Sequence, residues 1–152
     1  MFTSARREAA ARSPTDYGSS MRLPHAPSSV GLARRRLSDE LMEHRVPRPT
    51  VDDATLVLSE ILSNALKHAR PLESGYLEVS WDVLLDGSVC LAVTDGGSTT
   101  RPVVGRPSVS ALGGRGLGIV AALASDWGVD GPVPGTTTVW ARLSIGGTQN
   151  GR

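Results

Sequence analysis

In 152 residues there is one cysteine, Cys90. An internal disulfide framework and a cysteine-rich zinc site are therefore excluded, and a reducing compartment suits the chain. Lysine is almost absent too: Lys67 stands alone among 16 basic residues, an arginine excess that GC-rich coding explains without a functional appeal. Nor is there an excess of either charge, because the basic residues face 15 Asp and Glu for a net charge of +1. That balance gives no general electrostatic case for nucleic acid or an acidic membrane as the partner. No run approaches the ~18 apolar residues of a membrane span, and Met1–Arg22 lacks the apolar stretch of a secretion signal. A cytoplasmic protein with no membrane partner is the expectation. A Gly-Lys-Ser/Thr phosphate loop is also missing.

What is present suits one globular domain. The length fits a single unit of roughly 100–200 residues, and 39% hydrophobic residues argue against wholesale disorder. Residues 1–36 carry seven arginines against Glu8 and Asp16 and read as basic and solvated at their start. A tail is expected over 1–19, a domain over 20–145 and a second tail over 146–152.

Within the domain a short strand is expected near Met21–Leu23. Val30, Ala33, Leu37 and Leu41 then recur at helical spacing, with Ser28 or Ser29 placed to cap. A second helix is expected from a Thr50 cap to about Ala69, ahead of Pro71. Strands Tyr76–Leu84 and Val89–Thr94 flank Asp86-Gly87, a strong hairpin signal. The stretch from Gly96 to Gly114 is rich in Gly, Ser, Thr and Pro and longer than an ordinary connection, so it is a candidate lid. A third helix over Leu117–Leu123 and strands at Trp127–Val129 and Thr136–Leu143 complete the order. Helices grouped against such strands predict an α+β two-layer sandwich, a mixed, mostly antiparallel sheet with about three helices on one face.

Chemistry-bearing residues recur along this frame. Glu60, Asn64 and His68 lie at i, i+4 and i+8 of the second helix and share one stripe. Such stripes are often plain solvated surface, yet a carboxylate can act as a base and an amide oxygen is a hard metal ligand. Asp95 closes a β-rich run before Gly96-Gly97. Asp-Gly is common in turns, but a buried carboxylate there could accept from an exocyclic amine, with glycine admitting a flat ring. Gly113-Gly114-Arg115-Gly116-Leu117-Gly118 leads into a helix, where exposed amides and an arginine suit phosphate; the alternative is a hinge. A dinucleotide fingerprint is rejected here, because loop rather than strand precedes Gly116-x-Gly118-x-x-Ala121 and no acid follows about 20 residues later. Gly135-Thr136-Thr137 says little alone, since threonine simply suits strands.

Taken in order, Glu60-x-x-x-Asn64-Ala65-x-x-His68, Asp95-Gly96-Gly97, Gly114-Arg115-Gly116-Leu117-Gly118 and Gly135-Thr136-Thr137 resemble the N, G1, G2 and G3 boxes of GHKL-type ATP-binding domains. Glu60 before Asn64, with Gly-Arg-Gly-Leu, is most similar to bacterial anti-sigma-factor serine/threonine kinases, and the resemblance covers about residues 20–144. It implies ATP and Mg²⁺ as cofactors, with Asn64 ligating Mg²⁺ and Glu60 taking the proton of an acceptor hydroxyl. Asp95 would meet the adenine amine, with Gly97 beneath the ring and Thr137 supporting the same network. Gly114, Gly116, Leu117 and Gly118 would wrap the phosphates, Arg115 would neutralise the transferring group, and His68 would be a phosphate neighbour or a structural histidine. Thr99 stands where relatives often have a further glycine, and Ser110-Ala111-Leu112 where an acidic residue is common; both alter the lid. The implied partners are a sigma factor and an anti-anti-sigma protein, with a possible homodimer through the first strand and helix. The alternative is a catalytically inactive nucleotide-binding module. A histidine kinase is disfavoured because no long helical hairpin presents a phosphoacceptor histidine.

Overall fold

The computed structural model describes residues 15–97, 116–131 and 134–145. Its elements are β1 (Thr15–Pro24), α1 (Ser28–Glu43), α2 (Arg48–His68), β2 (Tyr76–Leu84), β3 (Val89–Asp95), α3 (Gly116–Leu123), β4 (Asp126–Asp130) and β5 (Thr137–Leu143). Among the described residues the strands form one five-stranded sheet in the order β1-β2-β3-β5-β4, and its four pairings are antiparallel. The three helices cover one face, which is the expected α+β sandwich.

Strand alternation builds that arrangement. Leu77, Val79, Trp81 and Val83 of β2 join Val89, Leu91 and Val93 of β3 beneath the helices. Leu37 and Leu41 of α1 and Val57, Leu58, Ile61 and Leu62 of α2 meet them from above. A smaller cluster of Leu84, Cys90, Ala92 and Trp140 lies on the opposite face. No described helix is long and apolar enough to cross a membrane.

Three local expectations are corrected. The first strand begins at Thr15, inside the stretch expected to be tail. Among the described residues it is an edge strand paired only with β2, and Gly18, Ser19 and Ser20 interrupt its apolar pattern, so alternation gives little signal. Pro27 occupies the N-cap of α1, while the Ser29 hydroxyl donates to the Pro24 carbonyl at 2.6 Å instead of capping. Thr50 is not a cap either: α2 begins at Arg48 after Pro47, and Thr50 is fully buried within its first turn. A first turn has no use for the N–H that proline lacks, so Pro49 starts this helix where it would break one further in. The Asp86-Gly87 hairpin is found, with Gly87 at φ 89° and Asp86 Oδ1 accepting from the Ser88 amide at 2.9 Å.

One carboxylate fastens the edge strand to the body. Glu40 of α1 accepts from the Tyr17 hydroxyl, from Trp81 Nε1 at 3.1 Å and from Arg36 Nε at 2.7 Å. The Tyr17 ring stacks on His44 at 3.8 Å between centroids. Burial pushes the Glu40 carboxyl up, but the three donors together outweigh it and hold it below its ordinary value.

Candidate functional site

Helix α2 crosses β3 and β5 and presents the stripe of Glu60, Asn64 and His68. Glu60 and Asn64 are half-buried, whereas His68 is exposed at the helix end. The helix stops at Ala69, and the chain beyond it is clipped to the end of β3. The Arg70 amide donates to the Gly97 carbonyl at 2.9 Å, and the Gly96 amide donates to the Arg70 carbonyl at 2.7 Å. This clip sets the end of the stripe beside the Asp95 turn.

Asp95 is 4% exposed, and it lies across from Thr137 in the β3–β5 register, so both side chains share the helix-facing side. Its Oδ1 accepts from the Gly97 amide at 2.7 Å, and no other hydrogen bond reaches the carboxylate among the described residues. Burial pushes this carboxyl up to about 6, opposed by the Gly97 hydrogen bond and by the nearby charge of His25. One residue back, the Thr94 and Thr138 hydroxyls meet at 2.6 Å and join the same two strands.

Glycine is required at both following positions for different reasons. A Cβ on Gly96 would stand 2.1 Å from the Pro71 carbonyl oxygen, a backbone atom that cannot give way. Gly97 sits at φ 89°, and a Cβ there would lie 3.1 Å from the Gly135 carbonyl oxygen. The Asp95 turn and the turn before β5 thus face each other across a notch lined by backbone, with an acidic acceptor at its base. The Pro71 and Gly135 carbonyls take the space that a side chain would need at either position, so both glycines serve close backbone packing.

Of the other expected site residues, Gly114 and Arg115, with most of the Gly96–Gly114 lid, lie outside the described residues. Leu117 places its side chain in the core, which leaves its backbone for any ligand role, and Gly118 is exposed with open space around it. Two neighbours of the notch were not legible in the motifs. His25, in the loop between β1 and α1, has Nε2 2.9 Å from the Ala69 carbonyl oxygen. Arg70 places Nη2 3.9 Å from the Cβ position of Gly97. Each arrives from an element distant in sequence or with no periodic pattern, so only tertiary structure reveals it.

A helix carrying Glu60 and Asn64 is thus clipped to a strand end with a buried Asp and a glycine notch, within an α+β sandwich of the ATPase-like class. The model of the histidine kinase-like ATPase domain matches residues 23–143, and the chain belongs to that family. The RsbU and RsbW domains of Rv1364c from Mycobacterium tuberculosis share the fold at TM-score 0.66 and 20% identity, over 85% of this chain. This chain spans only 32% of that one. The SiaB–SiaC complex from Pseudomonas aeruginosa is similar at TM-score 0.56 and 14% identity, over 91% of this chain and 95% of that one. No curated protein matches the sequence.

Proposed function

We propose that this domain binds ATP with Mg²⁺ and acts as a regulatory serine/threonine protein kinase of the anti-sigma-factor type. The observation that carries the reading is the Asp95 notch: a buried carboxylate with one internal hydrogen bond, at a strand end whose two following glycines pack closely against backbone. Its donor set fits the nucleotide. The Asp95 carboxylate accepts from an exocyclic amine, and Thr137 opposite it supports the same edge. The Asn64 amide oxygen is a ligand that Mg²⁺ accepts, with phosphate oxygens and waters completing the shell. Among the described residues no three His, Cys, Asp or Glu side chains converge, so the ion would be held jointly with phosphate.

Bound Mg-ATP would supply the phosphoryl group. The chain's own part is positioning and proton transfer, which is most of what phosphoryl transfer asks of a protein. Glu60, one turn before Asn64, takes the proton of an acceptor serine or threonine hydroxyl. The hydroxyl oxygen bonds to the γ-phosphorus as the bond to the bridging oxygen breaks, and ADP leaves. A phosphate on a partner's interface residue adds about −1.5 to −2 charges, enough to drive that partner away and free another surface. By this reading the partners are a sigma factor and an anti-anti-sigma protein in a cytoplasm. The GHKL-type sandwich shared with the RsbU–RsbW structure supports that assignment.

Calorimetry of Mg²⁺-dependent ATP binding to the wild type and to Asn64→Ala is the first test. Binding that needs Mg²⁺ and collapses in the variant is expected, and a folded wild type that binds no ATP overturns the reading. Transfer from γ-labelled ATP to a candidate acceptor, lost in Glu60→Gln, separates a kinase from a passive nucleotide-binding module.

A further inference from the structure

The notch has a cation at its rim that none of the sequence motifs contains. Arg70 Nη2 lies 3.9 Å from the Cβ position of Gly97, and that position is itself 3.1 Å from the Gly135 carbonyl oxygen. The root of this side chain is fixed by the two backbone hydrogen bonds of Arg70 to Gly96 and Gly97, and by His25 on the preceding carbonyl. Among the described residues its guanidinium has neither an ion pair nor a hydrogen bond.

Position decides which part of a nucleotide such a group could meet. Asn64 lies one turn inside the end of α2, about 6 Å along the axis from His68 at a helical rise, and Arg70 lies two residues past that end, beyond the extended Ala69. The metal and phosphate end of the site is therefore displaced toward the middle of α2, while Arg70 is clipped to the turn that would hold the base. A guanidinium is planar and weakly hydrated, so it stacks on aromatic rings where an ammonium does so poorly. Resting on the nucleotide-binding reading above, we propose that Arg70 is a base-contacting residue that packs its guanidinium plane against the purine held at Asp95.

Binding of adenosine and of Mg-ATP to the full chain, measured by calorimetry, tests this in the wild type, Arg70→Ala, Arg70→Lys and Asn64→Ala. Arg70→Ala is expected to weaken both ligands by a common factor of about 3–30, the range of a stacked cation. Arg70→Lys should restore little of it. The melting temperature without ligand should stay unchanged, because the side chain is exposed. A loss confined to ATP and restored by lysine would make Arg70 a phosphate cation and overturn the proposal, as would unchanged binding of both ligands. Asn64→Ala, expected to weaken ATP but not adenosine, checks the nucleotide reading separately. A wild type that binds neither ligand removes that reading and this one together, whereas normal binding by Arg70→Ala removes this one alone.

Discussion

Glu40 and Asp95 are both drawn out of water on the helix-facing side of the sheet, yet their surroundings shift them in opposite directions. Burial raises both. At Glu40 three side-chain donors from α1, β1 and β2 more than offset it, whereas at Asp95 one backbone amide and a nearby histidine do not. The first carboxylate is saturated by its own chain and serves the fold. The second has one hydrogen bond among the described residues, its charge is tolerated at a cost in stability, and its remaining acceptor capacity is what the proposed nucleotide would use. The two carboxylates thus differ in how fully the chain's own donors satisfy them.

The sharpest way to break this comparison is Glu40→Ala. It strips the acceptor from Trp81 Nε1 and the Tyr17 hydroxyl and should cost about 2–4 kcal/mol in urea unfolding, with ATP affinity within about twofold of wild type. A stability unchanged by this variant would show that Glu40 does not fasten β1.

Asp95→Asn should act with the opposite sign. A folded value raised from 3.8 to about 6 means that the native state holds its proton more tightly than the unfolded chain. The contribution of this group is then full below about pH 4, declines through about pH 6, and stays reduced by roughly 3 kcal/mol above that. The neutral amide should recover on the order of 1–3 kcal/mol at pH 7.5 and flatten the stability profile between pH 4 and 6. The same change should weaken ATP binding about 10–100-fold. Wild-type affinity should itself fall as pH drops through about 6, where the acceptor becomes protonated. Calorimetry and denaturant titrations across this range check both arms, and a destabilised Asp95→Asn would contradict the comparison.

The smallest effect sharpens the fastening side. Tyr17→Phe removes one of three donors and should cost about 1 kcal/mol. Because the folded Glu40 value is lowered, its contribution is present above the unfolded value and lost as pH falls through the folded one. Losing a donor moves that folded value up, so the acid-unfolding midpoint followed by circular dichroism should shift to higher pH.

The helices and inner strands were legible because Leu37, Leu41, Leu58, Ile61, Val79 and Leu91 repeat at the periods their elements impose. The Asp95-Gly96-Gly97 turn could be read because its residue types are those that a buried acceptor and a close backbone approach require. The start of β1 was hidden by serines and a glycine on an edge. The caps of α1 and α2 differ from expectation because proline competes with serine and threonine for the positions that open a helix, although α1 does begin at Ser28. His25 and Arg70 escaped because their roles come from tertiary placement: His25 meets the carbonyl of a residue 44 positions away, and Arg70 meets a glycine on another element.

The lone thiol described at the outset acquires a practical meaning from the sheet order. Cys90 is 1% exposed and sits on β3, the middle strand of the five. A thiol reagent reaches it only when that strand's surroundings open, so the labelling rate is a clock for opening around β3. The same strand ends at Asp95, so a ligand gripped there would slow the clock without any added reporter group.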